Sequence, residues 1–291
     1  LKAAHPASRL KLSLVSAGAW SSCESCSVNP TVGIVRDPEE DLELGTESGL
    51  VGLEAWPQGP ACEVLFSPPT PLAELAQRAS LIILAVSAEK ARAALSSFRG
   101  ALDARSVLVC TSDLISLGLM RRAVGPGPSL VRAIVAPGAA PGEGVAALAC
   151  DAQCSAERVD EVRASFAWMG TVEVMGEDAL DAVAALALGA RGFVCPALEG
   201  LEEGAVRAGL PRDTARPFVH QTALATALLL RDHLGSPADL KDQVASPGGT
   251  TIAALATLED AGVRGAFIRA VQRSALEVRA RRDAGRSDMI E

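Results

Sequence analysis

Apolar positions along this chain follow two regimes. Between residues 11 and 150 they gather into short Val/Leu/Ile-rich runs at 12–15, 32–35, 81–86, 106–110 and 130–135, each bounded by polar or turn residues. Between the later runs, residues 71–79, 88–98 and 114–124 repeat apolar side chains at helical spacing. Strand-length runs alternating with amphipathic helices predict a mostly parallel sheet covered on both faces. Residues 43–69 are Gly/Pro-rich and read as an extended loop. After Ser155 the pattern changes: a helix over 156–169, a short strand over 171–174, and helix almost throughout from Asp178.

Turn residues punctuate the second regime. Gly209-Leu210-Pro211 ends one helix and opens the next, and Gly235-Ser236-Pro237 does the same. The sharpest break is Ser246-Pro247-Gly248-Gly249-Thr250-Thr251, directly before the apolar-periodic residues 252–258. Such a helix start leaves orphan N–H groups at the positive end of the dipole. It is open to a carboxylate or phosphate, or equally to plain capping.

Composition narrows the class. The 291 residues carry 27 Lys+Arg against 35 Asp+Glu, a net charge of −8, with 49% hydrophobic and 21% charged residues. That profile excludes disorder for most of the chain and argues against nucleic acid or an anionic membrane as the main partner. No apolar run reaches the ~18 residues of a bilayer span, and the richest one, 182–198, contains Arg191 and Pro196. Aromatics are 3% with no Tyr, so Ala, Leu and Val must build the core, which suits closely packed helices.

The chain begins at Leu1, and its first 23 residues hold Lys2, Arg9 and Lys11 but no acid. This reads as an ordinary basic arm or as what remains of an organellar, mitochondrial-matrix import sequence. Seven scattered cysteines do not make a disulfide framework, and a reducing compartment is expected. Cys110 and Cys195, in apolar surroundings, read as small hydrophobes. Cys23/Cys26 and Cys150/Cys154 together would offer zinc four thiolates, and the first pair alone a redox dithiol. Spacing alone is weak, and both pairs read as coincidental, so no metal is expected.

The segment Leu240-Lys241-Asp242-Gln243-Val244-Ala245-Ser246-Pro247-Gly248-Gly249-Thr250-Thr251-Ile252-Ala253 resembles the C-terminal signature of the pyrroline-5-carboxylate reductases. The similarity continues upstream through Asp181-Ala182-Val183, residues 197–204 and Gly209-Leu210-Pro211, and downstream through Leu258-Glu259 and residues 262–270. It implies an α/β fold: an N-terminal Rossmann-like domain with a mostly parallel sheet, followed by an all-α dimerisation domain. Boundaries at 1–175 and 176–291 are expected, in keeping with ~150 residues per domain. By resemblance, the activity is reduction of the cyclic imine to proline with hydride from NADPH or NADH. The substrate-carboxylate binders are then Ser246, Gly248, Gly249, Thr250 and Thr251.

The N-terminal half departs from that family. Where the family has a G-x-G loop after its first strand, this chain has Ser16-Ala17-Gly18-Ala19-Trp20. The cofactor positions Ser16, Gly18, Ala19, Trp20, Ala85 and Val86 are therefore degraded. The family's A-V-K-P, A-A-G, N-T-P and S-G-S-G-P-A elements become Ala85-Val86-Ser87-Ala88, Ser112-Asp113-Leu114, Ala136-Pro137-Gly138 and Ala187-Leu188-Gly189-Ala190-Arg191-Gly192. Micromolar cofactor binding is worth about 8 kcal/mol, and each phosphate or ring hydrogen bond lost with a buried partner costs roughly 1–3 kcal/mol. Several losses at once rival the whole affinity.

No catalytic residue is expected beyond the cofactor's own chemistry. His5, His220 and His233 lack partners in the sequence; His220 reads as a helix-face residue, Asp178 and Asp181 as helix-start carboxylates, and residues 279–282 as a solvated helix end. The first expectation is a reductase-fold pseudoenzyme without cofactor, in a homodimer or larger assembly, as a structural or interaction subunit. The alternatives are an active NAD(P)H-dependent cyclic-imine reductase in proline biosynthesis, and a module that binds a small carboxylate without turnover.

Overall fold

The computed structural model describes residues 31–36, 63–67, 72–138, 142–233 and 235–287. Within them the first half is β1 (Thr31–Arg36), β2 (Glu63–Ser67), α1 (Leu72–Arg78), β3 (Leu81–Ala85), α2 (Ala88–Ser97), β4 (Val107–Cys110), α3 (Leu117–Val124), β5 (Ser129–Ala136), β6 (Gly144–Cys150), α4 (Ala156–Phe166) and β7 (Gly170–Val174). They build one sheet in the order β2-β1-β3-β4-β5-β6-β7, parallel except at β5–β6. The mostly parallel α/β architecture read from the sequence is the one observed. The predicted strand at residues 12–15 lies outside the described residues.

Continuous apolar runs are what a sheet buried on both faces requires. Successive strand side chains point to opposite sides. Ile82, Leu84, Leu108, Cys110 and Leu130 therefore join the core under α1–α3, together with Leu75, Leu95, Phe98 and Leu119. Ile83, Val107, Val109, Val131 and Ala133 join a second core with Val162 and Phe166 of α4.

The sequence expectations need correction in several places. Residues 43–69 are not loop throughout, because Glu63–Ser67 pairs with β1 in parallel. Strand β6 was not anticipated: its alanines carry little strand preference, and pairing with β5 and β7 rather than propensity holds it. The helix expected at 114–124 begins only at Leu117, where the hydroxyl of Ser116 accepts the Leu119 N–H at 3.2 Å. The helix expected over 156–169 gives way at Ala167 to a 3-10 turn.

The second half is helical: α5 (Leu180–Ala184), a π-helical turn (Ala185–Gly189), α6 (Ala190–Arg207), α7 (Arg212–His233), α8 (Pro237–Val244), α9 (Thr250–Asp260) and α10 (Val263–Ser287). Leu180 and Ala184 seat α5 on Ile134, Ala147 and Ala149 of the sheet, with Val278 of α10 against the same cluster. Beyond that seam the helices bury little. Leu186, Val194, Leu201, Phe218, Leu224, Ile252, Leu258 and Ile268 are all exposed. One helical stretch, 177–207, is long and apolar enough to cross a bilayer by length and composition alone, and 22% of its most apolar window is buried in this chain. Cys195, expected among apolar neighbours, is exposed on α6.

Candidate functional site

The sheet order reverses between β1 and β3: β2 lies on one side of β1, and β3, β4 and β5 on the other. Doubly wound sheets take their ligands in the crevice outside the strand carboxyl ends at such a point. The strand ends there are Arg36, Ala85, Cys110 and Ala136. Of the cofactor positions inferred from sequence, Ala85 and Val86 stand at this edge with their side chains buried. Ser16, Gly18, Ala19 and Trp20 lie outside the described residues. Ser87 precedes α2 without a side-chain capping bond. The Thr111 hydroxyl and N–H both donate to the Leu84 carbonyl at 3.1 Å, tying the ends of β3 and β4 together.

Just beyond β5, Gly138 lets two backbones meet: a Cβ there would lie 2.5 Å from the Glu143 carbonyl carbon. The guanidinium of Arg191, near the start of α6, donates to the Pro137 carbonyl. Arg191 thus joins the end of β5 to the turn where the helical half departs, between the two altered elements Ala136-Pro137-Gly138 and Ala187–Gly192.

Behind this edge lies a buried charge cluster that the sequence reading missed. Arg132 of β5 is fully buried and donates to Asp181 Oδ1 at 3.1 Å and to the Asp113 carbonyl at 2.6 Å. Arg282 of α10 donates to both Asp181 oxygens, at 2.9 and 2.8 Å. Arg279 stands 3.5 Å from the same carboxylate, and Glu177 lies 3.7 Å from Arg132 while accepting the Leu117 N–H at 2.7 Å. Asp181 does stand in the first turn of α5, as expected of a helix-start carboxylate, but it is buried, and Arg282 is not part of a solvated helix end. Their partners are 49 and 101 residues away, beyond any local pattern. The one visible signal was Arg132, a lone charge inside an apolar strand run. A cavity of about 410 Å³ opens beside the cluster, between Asp178 just before α5, Asp181 and Ala182 of α5, and Leu276 and Arg279 of α10.

The predicted carboxylate binders come together at the start of α9. Gly249 occupies the N-cap position, and its N–H donates to the Ser246 carbonyl at 3.0 Å. Gly248 has φ +69°, a conformation side chains disfavour. A Cβ on Gly249 would sit 2.3 Å from Ser246 Oγ, so the hydroxyl rests on the bare glycine. No side chain caps the helix, and Ser246, Thr250 and Thr251 are exposed. The terminus therefore presents uncapped N–H groups, three hydroxyls and no charged side chain. His220 is exposed on α7, as expected of a helix-face residue.

A switch-point sheet continued by a helical region with bare apolar faces defines a Rossmann-type α/β architecture with a helical C-terminal segment. Comparison with known proteins narrows this. Residues 177–280 match the family described as pyrroline-5-carboxylate reductase dimerisation. The pyrroline-5-carboxylate reductase of Synechocystis is 34% identical over 200 residues, 68% of this chain and 74% of that protein. The enzyme of that name from Escherichia coli is 30% identical over 198 residues, 68% and 74% of the two chains. The chain belongs to the pyrroline-5-carboxylate reductase family.

Solved structures agree on the fold. A pyrroline-5-carboxylate reductase of Coxiella burnetii superposes with TM-score 0.74 at 20% identity, over 87% of this chain and 98% of that one. A pyrroline carboxylate reductase of Plasmodium falciparum, solved with NADP bound, gives 0.69 at 19% identity over the same shares.

Proposed function

We propose that this chain is a pyrroline-5-carboxylate reductase homologue that no longer binds the dinucleotide and serves as a structural or interaction subunit. In this reading residues 1–175 are a degenerate cofactor domain and 176–291 an association domain, in a homodimer or larger assembly. One observation carries the reading: the strand beside the switch point is β1, and the residues that follow it in sequence are Asp37-Pro38-Glu39-Glu40-Asp41-Leu42-Glu43. At that position a dinucleotide fold needs glycines and a helix N-terminus to receive a pyrophosphate. In sequence that run carries five carboxylates and no glycine.

Three further features point the same way. The Ser16–Trp20 stretch does not supply the missing G-x-G. The Val86 side chain is packed into the core under α2. Arg191 is anchored on Pro137, in the element that in the family packs beside the reacting ring. Among the described residues, those at this edge offer a dinucleotide no polar side chain at Ala85 or Val86. The reading is tested by offering the purified chain pyrroline-5-carboxylate with NADPH and then NADH. No proline above the uncatalysed background is expected, and turnover at a rate typical of enzymes, about 1 s⁻¹ or more, contradicts it.

The α9 terminus favours a second reading, an active NAD(P)H-dependent cyclic-imine reductase. Its Ser246–Thr251 segment keeps the anion-binding character that a substrate carboxylate requires. Retention of that end without the cofactor edge also suits binding of a small carboxylate without turnover. Thermal stabilisation by proline in the absence of NADPH is the sign of that variant.

A further inference from the structure

The loop between β6 and α4 lies at the end of the sheet opposite the switch point, because β6 runs antiparallel to β5. Its turn is closed by the Cys154 N–H donating to the Asp151 carbonyl at 3.1 Å, which folds Cys154 back toward Cys150. Asp151 fastens the turn: its carboxylate accepts the Leu130 N–H at 3.3 Å and the Gln153 N–H at 3.2 Å, and pairs with Arg121. The Asp151 N–H in turn donates to the Leu130 carbonyl at 3.0 Å. Both thiols are half-buried against the core that holds Phe166 and Trp168, Cys150 opposite Val131 in the β5–β6 ladder and Cys154 folded over the neighbouring Leu130. Cys154 Sγ also lies 3.6 Å from the Leu130 carbonyl. A hydrogen-bonded turn that folds one free thiol back toward another and leaves both partly open to solvent is unusual for structural cysteines, which are buried and inert.

From this geometry we infer that Cys150 and Cys154 are a thiol–disulfide exchange site, which closes to an intramolecular disulfide when it meets a small-molecule disulfide such as oxidised glutathione. Cys154 is the attacking sulfur. The hydrogen bond from Cys150 holds the Cys154 thiol below its ordinary range, helped by Ser129. Cys154 also directly precedes Ser155, the N-cap of α4, where the helix dipole favours a thiolate. That hydrogen bond and burial push the Cys150 thiol up, so it keeps its proton until its neighbour has reacted.

The exchange proceeds in two displacements. The Cys154 thiolate attacks one sulfur of oxidised glutathione, its S–S bond breaks, and one glutathione thiolate leaves. Cys150 then loses its proton to solvent and attacks Cys154 Sγ, expelling the second glutathione. The protein dithiol is oxidised by two electrons, and one disulfide becomes two reduced glutathiones.

The tryptic peptide of residues 133–158 contains both cysteines and no others, so the full chain reports on this pair alone. After equilibration with excess oxidised glutathione, that peptide is expected to lose two hydrogens in mass and to resist iodoacetamide until reduced. In C150S a stable glutathione adduct is expected on Cys154, and in C154S the remaining Cys150 stays largely unmodified. Wild-type peptide that takes up two alkyl groups without prior reduction overturns the proposal. So does preferential capture of Cys150 over Cys154 in the two variants.

Discussion

The two halves of this molecule kept different things. In the sheet half every residue of β3, β4 and β5 is buried, and on the proposed reading its switch-point edge is the part that has changed. In the helical half α8 and α9 bury nothing within the single chain, yet this is the half that retains the family signature. Buried volume is filled by any apolar residues of about the right size, so a sheet survives the loss of its chemistry. An apolar surface left exposed is an association surface or a liability. On the proposed reading, its retention beside a degraded cofactor edge fits a chain selected for what it binds to.

Asp181 is where the two halves are fastened, and its removal is expected to have the largest effect. Asp181→Ala leaves Arg132 and Arg282 buried without their shared carboxylate, a loss of about 3–5 kcal/mol in urea unfolding. A cost below about 1 kcal/mol would mean that the apolar seam of Leu180, Ala184 and Val278 holds the halves without it.

A pair of truncations sharpens the contrast. Leu108→Ala, in the fully buried centre of the sheet, is expected to cost about 2–5 kcal/mol whatever the protein concentration. Leu258→Ala removes a half-exposed side chain from α9 and is expected to cost more than about 1 kcal/mol only where chains associate. Its melting temperature then depends on concentration differently from wild type, as thermal melts over a dilution series would register. Identical behaviour of the two variants on dilution would remove the distinction between a self-sufficient half and an association half.

A smaller effect is expected at the α9 terminus. Gly249→Ala drives a methyl into Ser246 Oγ and should weaken binding of a proline-like carboxylate about tenfold, or ~1.4 kcal/mol, as a thermal-shift titration would show.

The smallest concerns Glu202 of α6. Hydrogen bonds from Arg216 at 3.1 and 3.2 Å and from Arg212 at 2.9 Å hold its carboxyl below the ordinary glutamate range. A lowered carboxyl contributes stability above its unfolded value, about 4.3, and loses it as pH falls through the folded value. Glu202→Gln should therefore melt slightly below wild type at neutral pH and converge with it in acid.

The sequence carried the fold where pattern and propensity agreed: the runs at 81–86, 106–110 and 130–135 are strands, and the turn residues at 209–211 and 235–237 separate helices. It failed where pairing overruled propensity, at β2 between prolines and at the alanine-rich β6. The start of α9 was legible because its signal is local, a run of Ser, Pro, Gly and Thr directly before an apolar-periodic stretch. The Arg132–Asp181–Arg282 cluster was not, because three side chains from a strand, a short helix and the last helix meet only in the folded chain. The approach of Cys154 to Cys150 depends likewise on a turn that Asp151 and Arg121 hold. The motif spacing alone did not announce it.

The central claim is that the switch-point edge no longer receives a dinucleotide. Calorimetric titration of the purified chain with NADPH, and then NADH, tests it most directly. No saturable heat up to millimolar nucleotide is the predicted result. Binding in the micromolar range, about −8 kcal/mol, would contradict it and return the chain to the working reductases.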